Sequence, residues 1–105
     1  MPKPVAIPKD AFRITYGKGF QMTFANGYTV SVQFGASNYC KNRNKLTHPQ
    51  LVKQLSDKMG SVTCMDAEFL AWDSNGKDVG EPDGWLTPDQ VFAKIAEIVA
   101  LPKKV

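Results

Sequence analysis

Residues 20–43, FQMTFANGYTVSVQFGASNYCKNR, decide the predicted fold, because apolar and polar residues alternate on both sides of an Asn-Gly pair. The alternating apolar residues are Phe20, Met22 and Phe24 before that pair and Tyr28, Val30, Val32 and Phe34 after it. A period of two is typical of a strand with one buried face. The stretch therefore predicts a β-hairpin that leads into a loop of polar and cationic residues.

The buried face also predicts the register of this hairpin. A three-residue loop at residues 25–27 pairs Met22 with Val30, so that the apolar side chains share one face. A two-residue loop would mix apolar and polar side chains on each face. The longer loop also puts Gly27 where a type I turn with a bulge needs a left-handed residue.

Two further segments have strand periodicity. Apolar and polar residues alternate over residues 12–16, and a three-residue loop at residues 17–19 would pair Ile14 with Met22 on the same apolar face. Residues 67–72 predict a fourth strand, which ends at a run of Asp, Ser, Asn and Gly.

Two helices complete the predicted fold. Residues 47–59 and residues 87–101 each combine capping-box spacing with an apolar stripe, and Pro88 suits the first position of the second helix. Residues 76–86 contain several Gly and Asp residues and are predicted to form a loop. The fold class is therefore α+β: an antiparallel meander of three to five strands packed by a C-terminal amphipathic helix, with a second short helix after the Asn-Tyr-Cys loop.

The length of 105 residues suits one domain, predicted over residues 10–105 after an extended arm at residues 1–9. No apolar run approaches the roughly 20 residues that a membrane span needs. The N-terminus has no apolar core of signal-peptide length, so a soluble cytoplasmic protein is expected. Cys40 and Cys64 are predicted to be reduced thiols that form neither a disulfide nor a metal-ligand cluster, and no cofactor is predicted.

The net charge of +3 is unevenly distributed along the chain. Residues 1–60 carry nine basic residues (Lys or Arg) and two acidic residues (Asp or Glu). Residues 61–105 carry four basic and eight acidic residues. A basic half favours an anionic partner. The two halves could also interleave in the fold, and the asymmetry would then cancel.

The loop that follows the hairpin is the candidate binding site. It brings together amide, phenol, thiol and guanidinium groups, which suit a small polar ligand with a phosphate or carboxylate. The candidate ligand-binding residues are Gln33, Asn38, Tyr39, Cys40, Asn42 and Arg43. The alternative is a solvated connection whose Asn and Ser residues form turns.

Catalytic interpretations of the sequence are weaker. Cys40 could be a nucleophile, but it would need a base, and His48 is the only histidine. Nothing in the sequence places an orienting acid beside them, so no enzyme is predicted. Asp66 and Glu68 share one face of the fourth strand, and a solvent-exposed face explains them better than paired catalytic carboxylates.

The pattern F-x-x-x-F-x-N-G-x-T-V-S-V-Q-x-G-x-x-N-Y-C in residues 20–40 resembles a set of small uncharacterised proteins of tailed bacteriophages and prophages. The match continues into residues 67–73 and residues 84–88. The resemblance implies a phage accessory protein that acts in the cytoplasm of a bacterial host. Small phage proteins of this size often bind a host protein or sequester a host defence signal, and the resemblance implies one of these roles.

Two functional hypotheses follow. The first is a non-enzymatic counter-defence protein that sequesters a small anionic, nucleotide-type signal through the loop. The second is an interaction module that inhibits a host protein through a wide surface centred on the polar sheet face and Trp85. Neither a membrane nor a nucleic acid is an expected partner, and a homo-oligomer is compatible with both hypotheses.

Overall fold

The computed structural model of the chain describes residues 11–14, 19–35, 40, 53 and 64–103. The elements in chain order are β1 (Ala11–Ile14), β2 (Gly19–Thr23), β3 (Thr29–Gln33), β4 (Ala67–Trp72), β5 (Asp83–Leu86) and α1 (Pro88–Val99). The strands form one sheet in the order β1-β2-β3-β4-β5, and every neighbouring pair is antiparallel. The α+β class with an antiparallel meander is confirmed. The predicted arm at residues 1–9 lies outside the described residues.

The predicted register of the β2–β3 hairpin is confirmed. Met22 lies opposite Val30, and the Phe24 amide donates to the Tyr28 carbonyl over 2.9 Å. Gly27 has a φ of +90°, in the left-handed region that favours glycine. The apolar face therefore sets this register as expected.

The predicted pairing of β1 with β2 is wrong by two residues. Ile14 lies opposite Phe20 and Phe12 opposite Met22. A shift of two keeps every side chain on its own face, so the hydrophobic pattern cannot distinguish the two registers. Gly19, predicted to lie in the turn, belongs to β2 and packs against the Val32 carbonyl, where a Cβ atom would clash.

The predicted loop at residues 76–86 is wrong at its end, where Asp83–Leu86 forms β5. This short edge strand has no apolar alternation and joins β4 by backbone pairing. The pairing is irregular between Ala67 and Phe69. Within β5, Trp85 has a φ of +54°, which is uncommon for a bulky residue. Sequence periodicity could not reveal a strand of this kind.

The C-terminal helix is confirmed, and α1 begins as the capping box predicts. The Thr87 hydroxyl accepts from the Gln90 amide, and the Gln90 side chain accepts from the Thr87 amide. Pro88 follows the cap, where no amide donor is needed. The earlier helix predicted at residues 47–59 lies outside the described residues except for Lys53, which has helical conformation.

The core lies between α1 and one face of the sheet. Its buried members are Val30, Val32, Ala67, Phe69, Ala71, Val91 and Ile98. The helix packs on β3, β4 and β5. Of the described helices, none combines the length and apolarity that crossing a bilayer would require.

One side chain joins the hairpin turn to the end of the helix. The Asn26 amide nitrogen donates to the Ile98 carbonyl over 2.9 Å and to the Leu101 carbonyl over 3.0 Å. Its Oδ1 atom accepts from the Tyr28 amide over 3.1 Å. The last carbonyls of a helix have no partner within the helix, so Asn26 both caps α1 and fixes it over the sheet.

We predict that Asn26→Ala lowers the free energy of unfolding by about 1–3 kcal/mol, because the Ile98 and Leu101 carbonyls lose the Asn26 donor. Asn26→Asp keeps the acceptor for Tyr28 but places a carboxylate against the helix carbonyls, so it should be at least as destabilising. Urea denaturation measures both, with Asn75→Ala in an exposed turn as the control. An Asn26→Asp variant with the same free energy of unfolding as the wild type would contradict the proposed role of Asn26 in holding α1 on the sheet.

Candidate functional site

The predicted ligand-binding loop is described at two of its six candidate residues. Gln33 is 2% exposed, and its amide nitrogen donates to the Ser31 hydroxyl over 3.2 Å. Cys40 is 1% exposed, and its thiol donates to the Gly35 carbonyl over 3.5 Å. Both side chains are therefore buried, not displayed. Asn38, Tyr39, Asn42 and Arg43 lie outside the described residues, so the ligand-binding role of the loop stays a prediction.

The polar face of the sheet is also buried. Its buried polar side chains are Gln21, Thr23, Thr29, Ser31, Gln33 and Glu68. Hydrogen bonds join the residues of β2 and β3 among them: the Thr23 and Thr29 hydroxyls lie 2.7 Å apart, and the Ser31 hydroxyl accepts from the Gln21 and Gln33 amides. Asp66, just before β4, is buried too, so the solvent-exposed face expected for Asp66 and Glu68 is wrong.

An apolar groove of about 470 Å³ lies between the N-terminal half of α1 and the sheet. Its sheet wall includes Phe20, Val32 and Phe34, and its helix wall includes Val91, Phe92 and Ile95. Asp66 is the one charged side chain among the described residues that line it. A concave surface with this lining suits apolar groups and not a phosphate.

Beside the groove lie the apolar side chains of β1 and β2, which we call the uncovered strip: the exposed Phe12 and Ile14 and the half-buried Phe20 and Met22. Phe12 and Ile14 are 79% and 83% exposed, because α1 packs on the other three strands. Across the groove, Phe92 is 74% exposed. The predicted helix stripe is thus only partly in the core: Val91 and Ile98 are buried, whereas Phe92 and Val99 face outward.

Other predicted positions are distributed over the molecule. Trp85 is 55% exposed, whereas Trp72 is buried in β4. Asp73 accepts from the Asn75 and Lys77 amides and thereby shapes the turn after β4. Asp83 pairs with Lys94 at 2.9 Å, and this hydrogen bond raises the pKa of Lys94.

The two cysteines lie together although the sequence predicted no cluster. The sulfurs of Cys40 and Cys64 and a carboxylate oxygen of Asp66 all lie within 4.8 Å of one another. Neither of these two cysteines forms a disulfide. The burial of Cys40 leaves little access for a substrate, and its suggested base, His48, lies outside the described residues.

Comparison of the chain with protein-family models, with curated proteins and with solved structures finds no match. The function must therefore be inferred from the groove, the uncovered strip and the buried groups of this chain.

The buried polar face gives a test of its own. Ser31→Ala should lower the free energy of unfolding by about 1–3 kcal/mol, because the Gln21 and Gln33 amides lose their shared acceptor. Gln21→Met should lower the free energy of unfolding by less, or even raise it, since the Gln21 Oε1 atom is buried without a hydrogen-bond partner. Chemical denaturation compares the two variants. If both variants lost the same free energy of unfolding, the Gln21 Oε1 atom would have to accept a hydrogen bond in solution.

Proposed function

We propose that this protein is a non-enzymatic interaction module whose groove and uncovered strip bind an amphipathic helix of a partner protein. The observation that carries the proposal is the exposure of Phe12, Ile14 and Phe92 beside the apolar groove. Phe92 lines the groove, and Ile14 lies opposite Phe20, which also lines it. An isolated exposed apolar residue is ordinary, but a contiguous patch on a small domain is typical of a protein interaction site.

The spacing of the elements favours a helical occupant. Because α1 packs on β3, β4 and β5, its axis lies over β4. Neighbouring strands are about 4.8 Å apart, so β2 lies about 10 Å from β4. Packed helices are separated by about 8–10 Å. A second helix beside α1 would therefore lie over β2, directly on the uncovered strip.

The helix α1 offers one side to such a partner. Phe92 and Val99 are seven residues apart and thus lie on one side of the helix, and both are exposed. Phe92 also lines the groove. A partner helix with apolar residues at positions i, i+3, i+4 and i+7 would contact this side and the strip together.

The partner class follows from the resemblance to phage proteins, which implies a protein of the bacterial host. The surface proposed here differs from the polar sheet face expected from the sequence, because the polar side chains of that face on β2, β3 and β4 are buried. Sequestration of a nucleotide-type signal stays a prediction. Its test is calorimetry with cyclic and linear nucleotides, and heat that Arg43→Ala abolishes would favour it.

The proposal is tested by cross-linking followed by titration. A photoreactive amino acid at Phe12 should cross-link a host protein through one segment that mass spectrometry identifies. A synthetic peptide of that segment should bind the protein and gain helical circular dichroism. Phe92→Asp should weaken its binding by at least about thirtyfold, the loss of about 2 kcal/mol typical of a central aromatic residue.

Val79→Asp is the matched control, because Val79 is also exposed but lies in the β4–β5 connection. It should change peptide affinity by no more than about twofold. Three results would overturn the proposal: equal binding by Phe92→Asp, a bound peptide that stays non-helical, or a wild-type dimer that Ile14→Asp dissociates. The last result would assign the strip to a second copy of this chain.

A further inference from the structure

We infer that Cys40, Cys64 and Asp66 form a binding site for a soft divalent cation of the zinc class. The three side chains offer two sulfurs and one oxygen within 4.8 Å of one another. Cys64 and Asp66 also line the apolar groove, but the inference is drawn from the donor atoms and their spacing and does not depend on the proposed function.

The distances suit tetrahedral coordination. An ion bound at about 2.3 Å to sulfur and about 2.1 Å to oxygen separates its ligand atoms by about 3.5–3.8 Å. The Cys64 sulfur lies 3.7 Å from Asp66 Oδ1, within this range. The Cys40 sulfur lies within 4.8 Å of both atoms, so a shift of at most about 1 Å would bring it to the same spacing.

The donor chemistry selects the ion. Thiolates prefer zinc and other soft cations, whereas calcium and magnesium require oxygen ligands. The Cys40 thiol donates to the Gly35 carbonyl, and the Cys64 thiol donates to Asp66. On binding, each thiol releases its proton to solvent and forms a metal–sulfur bond, and Asp66 adds a metal–oxygen bond. A water molecule completes the four ligands.

The position of the site in the fold indicates what the ion would do. Cys40 follows β3, and Cys64 precedes β4, so the two ligands lie at opposite ends of the connection between two paired strands. An ion held by both would tie these ends together. Binding to the folded chain alone would stabilise it in proportion to metal concentration.

The test uses cobalt as a spectroscopic substitute for zinc, with the full chain under reducing conditions. We expect one equivalent of Co²⁺ to produce a thiolate charge-transfer band and tetrahedral visible bands, and Zn²⁺ to displace it. Zn²⁺ should also raise Tm. Cys40→Ser and Cys64→Ser should abolish the charge-transfer band or weaken Co²⁺ affinity by at least about tenfold, since even outer-shell changes cost about 10–100-fold.

Asp66→Asn should weaken affinity to a similar extent, whereas Asp66→His should retain binding because imidazole is a good zinc ligand. Glu81→Gln, which alters an exposed acid elsewhere, should bind like the wild type. If Cys40→Ser does not fold, the half-buried Cys64 supplies the decisive variant. The inference is overturned if the wild-type protein gives no thiolate band, or if Cys64→Ser gives the same band and affinity.

Discussion

The rest of this structure depends on one row of side chains that crosses the three central strands: Phe20, Val32 and Phe69 lie opposite one another in β2, β3 and β4. A slip of one residue in either pairing would move these side chains to the other face. The same register turns Gln21 and Ser31 to the opposite face, where they are buried and bonded to each other. One row thus sets both the apolar core under α1 and the polar layer behind the sheet.

The elements that short-range rules control could be predicted from the sequence. The β2–β3 register follows from alternation around Gly27, and the start of α1 follows from Thr87 and Gln90. The register of β1 could not be predicted in this way, because a shift of two residues keeps the same side chains on the buried face. A turn at residues 17–19 also satisfied the local rules equally well. The strand β5 was missed because Pro82, Asp83 and Gly84 are typical loop residues, and only pairing with β4 makes Asp83–Leu86 a strand.

The groove, the uncovered strip and the cysteine cluster were harder to predict, because each is formed by residues that are distant in sequence and come together only in the folded chain. The apolar stripe of α1 is broad, and its pattern does not reveal that Phe92 stays exposed at the edge of the groove. Strand alternation marks Phe12 and Ile14 as members of the apolar face, yet nothing local shows that the helix stops short of them. Cys40 and Cys64 are distant in sequence and meet only because β3 and β4 are neighbours.

That neighbourhood has a kinetic consequence. The β2–β3 turn closes over a few residues, so this hairpin can form early and by itself. β3 and β4 are equally close in space, but residues 34–66 separate them in the chain. The entropy of closing that connection opposes the β3–β4 pairing until side chains of both strands are in contact. We therefore expect the joining of β4 to the hairpin to limit the folding rate, because non-local strand pairing is the slow part of sheet formation.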